Sequence, residues 1–208
     1  MTRFTLAGDR HHEYSWTKGR LPDGSGLLLD LGCGPKANMS RYAVSRGWHV
    51  IGIDLLPVGY THPHFSSLVK DFLKYDFEDT MFDWILNISS IEHFGVKGRY
   101  GVNRRSATAD LRAMKKLHSL MKPEATMSLT IPVGIDTLAE PHHRVYGKER
   151  LPKLLNGFKV IDQQYWAKFD GVNEFRGTGQ SMALNTVPIV GPPNYYAIGA
   201  FLLKRGDA

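Results

Sequence analysis

Leu27-Leu28-Leu29-Asp30-Leu31-Gly32-Cys33-Gly34-Pro35 decides how this chain folds. A short apolar run closed by a glycine-rich turn is the pattern of a strand buried on both faces of a parallel sheet. Glycines after such a strand let the backbone turn tightly and approach a ligand closely. Val50-Ile51-Gly52-Ile53-Asp54 reads as a second strand ending in an acid. An acid at that point can accept hydrogen bonds from both hydroxyls of a ribose, as in adenosine recognition by doubly wound sheets. Asp30 adds a constraint. A carboxylate just before the turn repels a pyrophosphate and suits a ligand carrying an ammonium group. The dinucleotide fingerprint would also want a third glycine at position 37, where this chain has Ala37.

Working outward, residues 37–46 read as a helix, with Met39, Tyr42 and Ala43 on one side and Gly47 as its stop. Further strands are expected at 65–69, 82–88, 127–131, 158–166 and 195–203, with helices over 106–121 and 148–156. Strands alternating with helices mean βαβ units and a mostly parallel sheet. No repeat, low-complexity tract or composition break divides the chain, so 1–208 is expected to be one domain. Residues 1–25 would form an N-terminal cap or lid. Residues 167–194 would form a long loop insertion between the last two strands, longer than a compact domain tolerates without a reason.

The 208 residues include 42% hydrophobic and 22% charged side chains, ordinary for a globular protein and unlike a disordered or fibrous one. No apolar run approaches the roughly 18 residues of a transmembrane helix. The beginning, Met1-Thr2-Arg3-Phe4, does not read as a signal peptide. Cys33 is the single cysteine and has no internal partner, which suits a reducing cytoplasm. The formal charge is +6, and the stretch from Lys97 to Lys122 holds eight basic residues against one acid, Asp110. Arg112, Lys115 and Lys116 alternate with Leu111, Met114 and Leu117 at helical spacing and read as a solvated helix face. Arg99, Arg104 and Arg105 precede that helix in a glycine-containing loop and are better placed to meet an anion.

Leu29-Asp30-Leu31-Gly32-Cys33-Gly34-Pro35 resembles motif I of class I S-adenosylmethionine-dependent methyltransferases. Lys70-Asp71-Phe72 resembles the motif that contacts adenine, and Phe82 to Phe94 resembles the fourth strand and the following "Ile-Glu-His" loop. Leu120-Met121-Lys122-Pro123-Glu124-Ala125 resembles the turn before the fifth strand, with Glu124 and Ala125 in place of two glycines. Glu13-Tyr14-Ser15-Trp16 resembles a segment ahead of motif I in related enzymes. Two further stretches, around Glu92–Gly101 and His143–Pro152, look like an uncharacterised methyltransferase-like family. The resemblance implies a Rossmann-like doubly wound seven-stranded sheet, mostly parallel with an antiparallel last strand, and S-adenosylmethionine as cofactor. It implies cofactor contacts from Asp30, Gly32, Cys33, Gly34, Asp54, Leu55, Asp71, Phe72 and Asn87.

Methyl transfer needs in-line approach of a nucleophile to a sulfonium methyl, which positioning alone can accelerate greatly. A base helps when the nucleophile arrives protonated, and histidine suits that task near neutral pH. His93 and His143 are the catalytic candidates. Tyr14, Arg99, Arg104, Arg144 and Tyr146 are the substrate candidates, with arginine able to grip a carboxylate or phosphate by two parallel bonds. His11, His12, His62 and His64 lack the spacing of a closed metal site, so no metal is expected. The expectation is a methyltransferase acting on O or N of a small anionic metabolite, as monomer or homodimer. RNA modification ranks second, because the Asn/Asp-Pro-Pro-Tyr box of nucleic-acid amino-methyltransferases is missing after the fourth strand, where Asn87-Ile88-Ser89-Ser90 stands. A catalytically inactive cofactor-binding partner subunit is a further alternative, and an oxidoreductase is disfavoured by the acid at position 30.

Overall fold

The computed structural model describes residues 7–98, 100–168, 175–187 and 196–206. Strand β1 (Leu27–Leu31) lies inside a sheet of eight strands, in parallel register with β2 (His49–Asp54) on one side and β4 (Phe82–Ile88) on the other. Its leucines alternate between two apolar layers, which explains the uninterrupted hydrophobic run. Leu29 and Leu31 join a core with Ile85, Met114, Leu117 and Leu129, whereas Leu28 joins Met39, Ala43, Trp84 and Leu86. Helix α2 (Asn38–Ser45) covers the second layer and helix α3 (Ala109–Leu120) the first.

The remaining sheet strands are β3 (Phe65–Val69), β5 (Met121–Val133), β8 (Phe158–Ala167), β9 (Arg176–Thr178) and β10 (Ala197–Arg205). The order across the sheet is β3-β2-β1-β4-β5-β10-β8-β9. Pairings from β3 to β5 are parallel, and β10 runs antiparallel between β5 and β8. Strand order reverses at the β1/β4 boundary, so a crevice opens beyond the carboxyl ends of these strands, where doubly wound sheets bind ligands.

The expected seven strands are present in this order, and the sheet has an eighth. Strand β9 comes from within 167–194 and pairs with Tyr165, Trp166 and Ala167. The same stretch holds helix α5 (Gln180–Leu184), so its described part is not a plain loop. A small hairpin of β6 (Thr137–Ala139) and β7 (His143–Val145) follows β5, and helix α4 (Arg150–Leu154) precedes β8. Helix α3 ends at Leu120 rather than 121, because Met121 already pairs with Phe82; a register shift beyond Phe82 absorbs the Lys122-Pro123 segment. At the amino end, helix α1 (Ala7–Lys18) precedes the sheet.

Candidate cofactor and substrate cavity

A cavity of about 790 Å³ opens at the strand-order reversal, within the range of sites that enclose a small ligand. The turn after β1 forms one wall. Gly32 and Gly34 have φ of +72° and +68°, conformations that a side chain would strain. A Cβ on Gly32 would strike Ser90 Oγ at 2.2 Å, whereas one on Gly34 would meet nothing within 4 Å. One glycine therefore permits close packing and the other leaves the cavity open. Asp54, at the end of β2, accepts the Gly34 and Leu56 backbone N–H groups, each at 2.8 Å, and also lines the cavity. Its carboxylate thus fixes the turn and faces the site. Leu55 and Leu56 are exposed beside it.

The next wall follows β3. Asp71 and Phe72 line the cavity, and Asp71 accepts the Leu73 N–H at 3.0 Å. This segment is pinned from α3: Lys116 Nζ donates to the Phe72 carbonyl at 2.8 Å and to the Tyr75 carbonyl, and lies over the Phe72 ring at 5.1 Å. Burial lowers the Lys116 pKa against the opposing pull of Asp76 and Asp71. Lys116 therefore does not belong to the solvated face expected of it; Arg112 and Lys115 do.

The far wall is the end of β4. Ser89 takes φ of +46°, uncommon for a residue with a side chain and frequent at functional sites. Its Oγ donates to Glu13 of α1, and Glu13 also accepts from Thr130 Oγ1 at 2.8 Å and Arg10 Nη1 at 3.1 Å. Glu13 is 1% exposed, and burial pushes its pKa up against the pull of Arg10 and Ser89. These bonds hold α1 at the carboxyl edge of the sheet and bring Arg10 into the cavity wall. His93 lines the same region, its ring 5.6 Å from that of Tyr100. His93 Nδ1 lies 2.8 Å from the His142 carbonyl, which can only accept, so Nδ1 carries the proton and neutral His93 keeps its lone pair at Nε2. Glu92 Oε1 is 3.7 Å from that Nε2.

The cavity thus brings together Gly32, Gly34, Asp54, Leu55, Asp71, Phe72, His93 and Arg104 of the sequence candidates. Others lie elsewhere. Asp30 is buried behind the turn, where its carboxylate accepts Ser40 Oγ at 2.6 Å, and burial raises its pKa to about 6. It ties β1 to α2 instead of lining the cavity. The Cys33 thiol packs toward Gly52, and burial pushes its pKa up, with Asp30 and Asp54 adding to the rise, so it is no thiolate nucleophile. Asn87 is wholly enclosed, its amide oxygen and nitrogen without hydrogen-bond partners among the described residues. Tyr14 is partly buried against the layer of Leu28 and Trp84.

Arg144 and Tyr146 belong to a buried network centred on Asp110 of α3. Tyr146 OH donates to Asp110 Oδ2 at 3.1 Å, Arg144 Nε is 3.2 Å from that oxygen, and Arg150 grips both carboxylate oxygens at 2.9 and 2.6 Å. Buried charge demands a partner, and these residues satisfy one another away from the cavity wall. His143 sits on β7 with its ring 6.1 Å from Tyr196, outside the cavity lining. Arg99 lies outside the described residues. The sequence reading missed Arg10, Ser89 and Ser90. The available signal for Arg10 was its three-residue spacing from Glu13, which puts both on one face of a helix.

Among solved structures, 1,6-didemethyltoxoflavin-N1-methyltransferase from Burkholderia thailandensis, with its substrate and S-adenosylhomocysteine bound, is similar over 97% of this chain and 85% of its own, at 13% identity and a TM-score of 0.58. The N-methyltransferase NodS from Bradyrhizobium japonicum, in complex with S-adenosylhomocysteine, is similar over 94% and 86%, at 13% identity and 0.59. The [4+2]-cyclase SpnF is similar over 76% of this chain and 59% of its own, at 20% identity and 0.56. The fold is therefore that of the class I methyltransferases, and a cyclase in the same company means that chemistry must be argued from the site. No curated protein matches the chain. No helix among the described residues is long and apolar enough to cross a membrane. The family model described as "Caenorhabditis protein of unknown function, DUF268" matches residues 62–179, more than half of the chain, and the chain belongs to that family.

Proposed function

We propose that this chain is an S-adenosylmethionine-dependent methyltransferase that methylates O or N of a small metabolite carrying an anionic group. The observation that carries the reading is one continuous cavity whose wall runs from Asp71–Phe72 past Asp54 and Gly34 to Ser89 and His93. The open position beside Gly34 leaves room for the cofactor against the backbone. Asp54 would hold the ribose, Asp71 and Phe72 the adenine, and Gly32, Gly34 and Leu55 the body of the cofactor. When bound, the cofactor supplies an electrophilic methyl group. The chain's own work is to orient the acceptor, to exclude water and to take up a proton where the acceptor is an alcohol or ammonium. His93 suits the last task, because Nε2 is its proton-accepting nitrogen. The described part of the amino-terminal segment, residues 7–25, acts as a cap, a reading supported by the bonds from Ser89 and Thr130 to Glu13.

Two of the similar structures are N-methyltransferases with S-adenosylhomocysteine bound, which supports the cofactor assignment. Arg104 supports an anionic acceptor: it lines the cavity and forms no ion pair among the described residues. The test is transfer of labelled methyl from S-adenosylmethionine to a panel of small carboxylates and phosphates. Turnover that falls about 10²-fold or more in His93→Gln, with cofactor affinity retained, supports the base. Equal turnover in the variant overturns that role.

A further inference from the structure

Arg10 has a half-used guanidinium. Both of its side-chain hydrogen bonds come from Nη1, to Glu13 at 3.1 Å and to the Ile88 carbonyl at 3.4 Å. Its Nε and Nη2 make no hydrogen bond among the described residues. That Nε–Nη2 edge is the one with which this protein holds carboxylates elsewhere. Arg105 grips Glu140 through Nε at 2.8 Å and Nη2 at 2.5 Å, and Arg150 grips Asp110 through Nε at 2.9 Å and Nη2 at 2.6 Å. Two parallel N–H donors match the spacing of two carboxylate oxygens.

The partners of Nη1 fix where the open edge sits. Glu13 is itself immobilised by Ser89, just past the end of β4, and by Thr130, which pairs with Ile88 from within β5. Arg10 therefore stands on the β4 side of the cavity, two strands away from Asp54 at the end of β2. Adjacent strands lie about 4.8 Å apart, so the two groups face the cavity from positions roughly 10 Å apart along the sheet edge. A ligand whose polar diol rests on Asp54 would extend its other end toward Arg10.

We propose that Arg10, oriented by Glu13, is the carboxylate clamp of this cavity, receiving a ligand carboxylate on its Nε–Nη2 edge. The carboxylate has two possible sources, the amino-acid end of the cofactor and the acceptor. The proposal rests on the methyltransferase reading.

The test uses the full chain and titration calorimetry with S-adenosylhomocysteine and with 5′-methylthioadenosine, which keeps the nucleoside thioether but lacks the amino-acid end. Succinate is then titrated into protein saturated with S-adenosylhomocysteine. Arg10→Met removes the fork, Arg10→Lys keeps the charge without it, and Glu13→Gln keeps the shape while removing the orienting ion pair. If the cofactor supplies the carboxylate, Arg10→Met weakens S-adenosylhomocysteine at least tenfold and leaves 5′-methylthioadenosine unchanged. If the acceptor supplies it, both nucleosides bind as in wild type and only the succinate heat is lost. In either case Arg10→Lys fails to restore binding and Glu13→Gln lies between. Unchanged affinity of Arg10→Met for all three probes overturns the clamp. Wild-type protein that binds neither nucleoside overturns the methyltransferase reading instead, so the two failures are distinct. Melting curves of each variant show whether the fold is kept, and Arg10→Lys carries the comparison if Arg10→Met does not fold.

Discussion

Asp54 and Asp30 are both acids at strand ends near the glycine turn, and their surroundings divide their work. Asp54 keeps a cavity-facing carboxylate while accepting two backbone N–H groups. Asp54→Ala should lower S-adenosylhomocysteine affinity by about tenfold or more, roughly one charge-assisted bond pair, in a calorimetric titration; unchanged affinity contradicts the ribose role. Asp30 instead meets Ser40 in a buried site, and burial raises its pKa to about 6. The native state therefore keeps its proton at pH values where the unfolded chain, with a pKa near 3.9, has lost it. Stability from this group is fully present below about pH 4 and falls as pH rises to 6. Asp30→Asn cannot titrate, so its stability relative to wild type should rise by on the order of 3 kcal/mol between pH 4 and pH 7. Urea unfolding at the two pH values measures this, and a constant difference contradicts it. The turn and the acid of β2 were legible in the sequence, because strand ends and glycines are local features. Which face Asp30 meets was not, since that depends on how α2 docks Ser40 against β1.

Among the elements, α3 ties the cavity to the core on both sides. Asp110 near its start collects Arg144, Tyr146 and Arg150, and Lys116, six residues later, pins the segment from Phe72 to Tyr75. Asp110→Ala would strand buried Arg144 without a counter-ion and should cost about 3–5 kcal/mol in denaturant unfolding; a loss below about 1 kcal/mol would mean that the network is not stabilising. Lys116→Met keeps the stem over Phe72 but removes the donor to two carbonyls. It should weaken 5′-methylthioadenosine binding several-fold with little change in succinate binding, and equal weakening of both would contradict a role at the adenine end. In the parallel half of the sheet β1, β3 and β4 have the expected limits, and β1 and β4 are the strands whose residues are mostly buried. The roles of Arg144 and Tyr146 were hidden for a physical reason. A basic and an aromatic residue after a strand look alike whether they face a ligand or a buried acid, and Asp110 lies more than thirty residues away in sequence.

At the scale of the molecule, the +6 charge is redistributed by the fold. Arg105 pairs with Glu140, Lys122 with Asp83, and Lys116 turns inward, so the basic stretch does not act as one strip. Binding to bulk tRNA should therefore be weak and lost by about 0.2 M salt, as for non-specific phosphate contacts; tight binding that survives that salt would favour RNA modification. What remains cationic along the cavity wall includes Arg10 and Arg104. S-Adenosylhomocysteine is the decisive ligand for the proposed cofactor site. Titrating S-adenosylhomocysteine into the full chain should give saturable heat with one site per chain, reduced by Asp54→Ala. Absence of heat from folded wild-type protein, at ligand concentrations up to the millimolar range, would contradict it.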